Sequence, residues 1–327
     1  MKLKKKMTMQ DIADLCGVTK STVSRYFNGG YVKDETRRKI KETIEKNNYE
    51  PNTFAQSLKA RESKIIGVIA PCLDSTVSSR IMMSIDEYLR KEGYTSLIIN
   101  TDHDVALELK NMQSLWRMKV DGIILIATQV SEEHKALTKR MDIPVVFVGQ
   151  EYAEGTSIIN DDYRAGFAIG EYIQKRGYRD VLYIGVDEHD EAVGIKRRQG
   201  VIDGCDPNLT KVEQLQADFS FMTSYDMVKG VLDHRLPQVI VCASDTMALG
   251  AFKAIQERNL RIPNDVSLIG FGGYEISTLI TPKLTTIRFD NAAAGYLAAE
   301  TILKLIREQP VSSRQVIGYT FLQGESA

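Results

Sequence analysis

The chain has 327 residues, 43% of them hydrophobic, and its 42 Lys and Arg against 43 Asp and Glu leave a net charge of −1. That is enough apolar material for two or three domains with sizeable cores, while no apolar run reaches the roughly 20 residues a membrane helix needs. With no apolar leader near the first residues, the chain is expected to be soluble and cytosolic, and its four scattered cysteines, without a CxxC pair, point to free thiols rather than disulfides or a metal site.

The near-neutral total hides an uneven distribution. Residues 1–62 hold 14 Lys and Arg against 8 Asp and Glu, a net +6, and the remainder is −7. A small basic module on an acidic body fits a polyanion bound by one end. The run Lys2, Lys4, Lys5 and Lys6 is placed to add phosphate contacts.

Residues 8–28, TMQDIADLCGVTKSTVSRYFN, predict two short helices around a tight turn. Thr8 caps the first, and Asp11 three residues on completes a capping box. Ile12 and Leu15 are expected on its buried face. Gly17 supplies the left-handed turn. Thr19 caps the second helix, which buries Val23 and Phe27 and turns Lys20, Ser21, Thr22, Ser24 and Arg25 outward. Small hydroxyls and basic groups at the first turns of such a helix suit a major groove, where Arg reads guanine and hydroxyls hold phosphate.

Asp34 and Glu35 open a third helix to about Asn48, with Ile40 and Ile44 on one face. Tyr49-Glu50-Pro51 ends this miniature domain, since a proline biases the preceding residue away from helix. The segment from Asn52 to Ala60 predicts two helical turns, too short to stand alone. The organisation expected is therefore a DNA-binding domain over 1–50, a hinge over 51–62 and a large body over 63–327.

From Lys64 onward, β-branched runs alternate with amphipathic helical stretches. The expected strands are Ile65–Ala70, Leu97–Asn100, Gly122–Ala127, Pro144–Gly149, Val181–Val186, Val239–Ala243 and Val266–Phe271. Such alternation implies parallel sheets covered on both faces. The length is too great for one sheet, so the unit is read as occurring twice, split near Asp161, with the segment from Leu284 crossing back. Two doubly wound sheets place a ligand cleft at their strand carboxyl ends.

The segments DIADLCGVTKSTVSR, YEPNTFAQSL, KIIGVIAP, VDGIIL, IPVVFV, CASDTMALGA, IPNDVSLIGF and LTTI, in this order, resemble the LacI/GalR family of sugar-responsive transcription regulators over essentially the whole chain. LDS after the first strand and YIGV…GIKRR later are most similar to regulators of disaccharide use such as the trehalose group. The resemblance implies an α/β architecture: a helix-turn-helix three-helix domain followed by a two-lobed, periplasmic-binding-protein-like body of two doubly wound parallel sheets. It implies base reading by Lys20, Ser21 and Arg25, phosphate contacts by Thr8, Thr22, Ser24 and Asn28, and a hinge helix carrying Asn52, Ala55 and Leu58 into the minor groove. There the leucines of two protomers wedge a base step and bend the duplex.

The resemblance also puts Arg197, Phe219 and Ser244 in the effector cleft. Arg197 offers a fork of donors, Phe219 a ring for a sugar face, and Ser244 a strand carboxyl end. Asp245 is expected to cap the helix after it. The other lobe contributes Leu73 and Asp74, with Arg80 nearby. The implied partners are a near-palindromic double-stranded operator, a second copy of the chain in a dimer, and a small sugar, a disaccharide or its phosphate. No cofactor and no membrane is implied. Two departures stand out. The family turn often written GYDD, whose acid grips sugar hydroxyls, reads Gly270-Phe271-Gly272-Gly273, and no leucine heptads follow the body, which favours a dimer over a tetramer.

Three other readings compete. An enzyme would need a phosphate loop, a dinucleotide fingerprint, a nucleophile elbow or a metal cluster, and the sequence offers none. A periplasmic sugar-binding protein has no use for residues 1–62. A purine or protein corepressor would keep the DNA-binding end and change only the effector.

Overall fold

A computed structural model of the chain describes residues 7–27, 29–47, 49 and 62–327. The chain divides into two compact units, Met1–Ser63 and Lys64–Ala327.

The first unit holds α1 (Met9–Cys16), α2 (Lys20–Phe27) and α3 (Asp34–Asn47). Its start is fixed as the sequence suggests: the Thr8 hydroxyl accepts from the Asp11 amide at 3.3 Å, and the Thr8 amide donates to the Asp11 carboxylate at 2.7 Å. Gly17 ends α1 at φ 67°, a conformation that costs glycine nothing. The core is Ile12, Ala13, Cys16, Val23, Val32, Ile40 and Tyr49, with Phe27 and Ile44 packed on its rim. Leu15 corrects the sequence reading, because it is 55% exposed. At about 100° per residue, Ile12, Ala13 and Cys16 span one arc of the helix, and Leu15 falls outside it. The expected roles of Asn28, Asn52, Ala55 and Leu58 lie outside the described residues.

In the second unit, β1 (Ile65–Ala70), β2 (Thr95–Asn100), β3 (Gly122–Ile126), β4 (Val145–Val148) and β5 (Thr156–Asn160) alternate with α4 (Thr76–Lys91), α5 (Val105–Arg117) and α6 (Glu132–Arg140) to build a first lobe. After α7 (Asp162–Arg176), β6 (Asp180–Gly185) leads into a π-helical turn, Glu191–Arg197, continued by α8 (Arg198–Asp203). β7 (Lys211–Gln216), α9 (Phe221–Leu232), β8 (Val239–Cys242), α10 (Asp245–Glu257), β9 (Ser267–Phe271) and β10 (Thr285–Phe289) complete the second lobe. The chain then returns through α11 (Asn291–Ile306) and β11 (Arg314–Ile317) to the first lobe, and ends in β12 (Tyr319–Leu322) in the second.

The two six-stranded sheets run β11-β5-β4-β3-β1-β2 and β12-β10-β9-β8-β6-β7, all neighbours parallel except β12 against β10. Central strands are buried throughout, as covered parallel sheets require. Edge strands β2 and β7 have no fully buried residue. Apolar runs therefore mark β1, β3, β4, β6, β8 and β9, while β5, β7, β10, β11 and β12 are more polar and are not among the strands expected from the sequence.

Three short connections cross between the lobes: β5 to α7, β10 to α11, and β11 to β12. The first two share a design. Asp161 caps α7 and Asp290 caps α11, with φ, ψ of −81°, 64° and −83°, 81°. Five residues after each cap stands a glycine, Gly166 or Gly295, packed against backbone so closely that a Cβ would collide with the Arg197 or Ile81 carbonyl.

Candidate nucleic-acid interface and ligand cleft

On α2, the Thr22 amide donates to the Thr19 hydroxyl at 3.3 Å, fixing the first turn. Thr8, Thr19, Lys20, Ser21 and Arg25 are exposed, and Thr22 and Ser24 half-buried. Val23 alone of this helix is fully buried, so the opposite face is left to polar groups. The Arg25 stem lies over Gly30, whose amide donates to the Arg25 carbonyl at 2.9 Å; a Cβ on Gly30 would meet Arg25 Cγ at 2.5 Å. Among the described residues no carboxylate pairs with Lys20 or Arg25, whereas the α3 cations pair along their own helix, Arg38 with Glu42 and Lys41 with Glu45. Lys20 and Arg25 thus present unneutralised charge on one exposed face, together with three hydroxyl side chains.

The candidate effector residues lie at strand carboxyl ends. Leu73 and Asp74 follow β1 and are exposed; the Leu73 carbonyl accepts from the Ser79 hydroxyl at 2.6 Å, and Ser75 caps α4. From the second lobe, Phe219 follows β7 with 38% of its surface exposed, one residue before the Ser220 cap of α9. Gln150 after β4 donates to Asp190 at 2.6 Å and accepts from the Ala192 amide at 3.2 Å, joining one lobe to the π-helical turn of the other.

Arg197, the last residue of that turn, is buried and already engaged. Its Nε and one terminal nitrogen donate to Asp162 Oδ1 at 2.9 and 2.5 Å, and the other donates to the Ala243 carbonyl at 2.5 Å. The guanidinium lies 4.9 and 5.4 Å from the centroids of the Phe271 and Phe289 rings. Burial opposes its charge, but Asp162, Tyr183 and Asp190 together outweigh it and hold the guanidinium pKa above the ordinary value. The expectation of a free donor fork is thus corrected: two N–H groups remain for a ligand, and the rest orient the side chain. A π turn of this kind is uncommon and recurs at functional sites.

The cap expected of Asp245 falls to Ser244. Ser244 is the cap, accepting from the Met247 amide at 3.2 Å, and is buried. A hydroxyl so committed has less to offer a ligand. Asp245, in the first turn of α10, instead accepts from the Thr286 hydroxyl (2.6 Å), the Ser277 hydroxyl (2.7 Å) and the Tyr274 amide (2.9 Å). Burial pushes its carboxyl up, and these donors pull it back.

Together they pin the turn Gly272-Gly273-Tyr274. Gly272 and Gly273 have φ of 149° and 60°, and the Tyr274 ring covers Gly272 where a side chain would otherwise project. The Tyr274 hydroxyl is raised in pKa by burial, with Asp245 adding to it, and it feels both Arg197 of its own lobe and Cys72 of the other. Sequence reasoning missed Asp162 and Tyr274; the paired glycines before Tyr274 were the available signal for the second.

A helix-turn-helix unit with Lys20 and Arg25 exposed, followed by a body of two parallel-sheet lobes, is the architecture of a DNA-binding regulator with a ligand-binding body. The chain belongs to the LacI family. The model described as bacterial regulatory proteins of the lacI family matches residues 8–52, and that of periplasmic binding proteins and the sugar binding domain of the LacI family matches residues 63–325. Similar relatives include the sucrose operon repressor of Staphylococcus xylosus, 33% identical over 94% of this chain and 96% of that one. The ribose operon repressor of Haemophilus influenzae is 30% identical over 95% of each. Among solved structures, the lac repressor dimer bound to operator and the anti-inducer ONPF superimposes with a TM-score of 0.88 at 25% identity, covering 98% of this chain and 99% of that one.

Proposed function

We propose that the protein is a cytoplasmic, dimeric repressor of a sugar-utilisation operon, without enzymatic activity, whose operator affinity is changed by a neutral sugar bound between the lobes. The observation that carries this reading is the exposed face of α2, with Lys20 and Arg25 unpaired, on the same chain as a body whose interlobe cleft holds a fixed arginine and an exposed aromatic ring. The sucrose and ribose repressors among its relatives, and the operator-bound dimer among similar structures, support the same reading.

In this reading Lys20, Ser21 and Arg25 read base edges, Thr8, Thr19, Thr22 and Ser24 hold phosphates, and Asn28, Asn52, Ala55 and Leu58 extend the contact. One short helix reads few bases, so two protomers on a near-palindrome supply the specificity. Arg25→Ala is expected to cost about 1–3 kcal/mol and to relax specificity at one base pair of each half-site. Competition binding against single-base operator variants checks this; a uniform loss across all variants would reassign Arg25 to phosphate.

The effector is read by Arg197, Phe219, Ser244, Leu73 and Asp74. Asp74 beside the mouth disfavours a phosphate, which selects an uncharged sugar, a disaccharide over its phosphate. Phe219→Ala is expected to abolish the sugar response and leave operator affinity in place, since the ring lies in the other compact unit from α2. The test is operator binding by fluorescence anisotropy with sucrose, trehalose and their phosphates added, alongside calorimetry. Tight binding of a sugar phosphate alone would overturn the neutral-ligand reading, and an undiminished response in Phe219→Ala would remove the stacking role. The same titration fixes the sign, because an inducer weakens operator binding and a corepressor strengthens it.

A further inference from the structure

Two residues that follow β4 reach from the first lobe to the π-helical turn Glu191–Arg197 of the second. Gln150, only 5% exposed, uses both ends of its side-chain amide. The nitrogen donates to Asp190 Oδ1 at 2.6 Å, and the oxygen accepts from the Ala192 amide at 3.2 Å. Ala192 stands in the first turn of its helix, where no carbonyl of that helix can reach its N–H. Glu151 accepts from Lys196 at 3.2 Å, near the other end of the same turn. One lobe thus grips both ends of the turn whose last residue is Arg197.

The two grips differ in weight. Lys196 and Glu151 are 35% and 30% exposed, and Lys196 also pairs with Glu191 at 2.9 Å, so water and a competing carboxylate weaken that rung. The Gln150 amide is buried and its donor meets a carboxylate, which makes the stronger kind of hydrogen bond.

Both partners are fixed within their own lobes. Gly149 has φ 91° and donates its amide to the Ile158 carbonyl at 2.9 Å, which sets the direction in which Gln150 leaves β4. On the other side, Asp190 Oδ1 also accepts from the Val193 amide at 2.9 Å. A Cβ on Gly194 would lie 2.1 Å from the Asp187 carbonyl, and Arg197 is tied to Asp162 and the Ala243 carbonyl. Neither side can follow the other if the lobes part, so the Gln150 hydrogen bonds are made and lost with the lobe arrangement.

We propose that Gln150 is an interlobe latch, setting the balance between joined and parted lobes before any ligand binds. The proposal deepens the reading of a sugar held between the lobes and rests on it only where sugar is the readout. A ligand shifts such an equilibrium by its differential affinity for the two arrangements, and the latch fixes how much of that difference is needed.

The experiment compares the full chain with Gln150→Glu and with Gln150→Glu/Asp190→Asn. The single variant sets two carboxylates against each other and breaks the latch. The double variant reverses its polarity at unchanged net charge: the introduced amide accepts from Val193 and donates to the introduced carboxylate, which still accepts from Ala192. Hydrogen exchange of the Ala192 amide reports the latch without operator or sugar. It should quicken by about tenfold or more in Gln150→Glu, on the scale of one charge-assisted hydrogen bond, and return in the double variant. Operator anisotropy and sugar titration then test the coupling. If the operator-binding arrangement is the minor one without sugar, operator affinity moves by about that factor; if it predominates, the sugar concentration at half response does. Unchanged exchange at Ala192 in Gln150→Glu overturns the latch. So does faster exchange with operator affinity and sugar midpoint both at the wild-type value, or a double variant that behaves like the single one. If no sugar acts on the wild-type protein, the sugar reading fails by itself, and exchange and operator affinity alone decide.

Discussion

Replacing Asp162 by alanine is expected to destabilise the second unit by about 3–5 kcal/mol, since one partner of a buried ion pair is removed and the other left behind. Of its direct contacts, Arg197 would then keep only the Ala243 carbonyl and the faces of Phe271 and Phe289. None of these carries the charge that compensates a desolvated guanidinium. Equilibrium denaturation without added sugar measures the loss directly, and the double variant Asp162→Leu/Arg197→Met supplies the control. If the penalty is the stranded charge, the double variant recovers most of the stability, because well-packed apolar residues replace a buried pair at little cost. A single variant that loses less than about 1 kcal/mol would mean that water reaches Arg197 and that the pair is not desolvated.

Operator binding is expected to fall by about a thousandfold or more between roughly 50 and 200 mM salt, on the scale of six to ten phosphates neutralised by a dimer. The charge for this is local to the first 62 residues, which are net +6 on a chain that is net −1 overall. Anisotropy titrations across a salt series give the slope, and Lys20→Ala should flatten it by about one phosphate per protomer if that lysine meets the backbone, or leave it unchanged and alter specificity if it meets a base. A salt-independent shift would remove the polyanion reading of the N-terminal unit.

Much of the fold was readable because it is local or periodic. The capping box of Thr8 and Asp11 spans three residues, and the left-handed turn at Gly17 needs one. Central strands such as Gly122–Ile126 are apolar without interruption because helices cover both their faces. Lys211–Gln216 escaped for the opposite reason. It is an edge strand whose exposed positions carry Lys211, Gln214 and Gln216, so no apolar run marks it.

The site was legible only in part. Arg197 was singled out, but its partner Asp162 lies 35 residues earlier, and nothing local links them. The cap of α10 turns on the same kind of distance: Thr286 and Ser277 claim the Asp245 carboxylate from beyond the next strand, leaving the cap to Ser244.

The matched crossings have a mechanical consequence. Asp161 and Asp290 fasten two lobe-to-lobe peptides in nearly the same dihedral state, and the glycines five residues later lock each helix onto backbone. Two joints of equal build share a torque equally, so the lobes pivot about a line through both rather than peeling apart at one edge. The third crossing is made at Gly318, between Ile317, paired with β5, and Tyr319, paired with β10. The helices behind the caps then travel as rigid levers, and any closure on a ligand is confined to a handful of backbone torsions at Asn160–Asp161 and Phe289–Asp290.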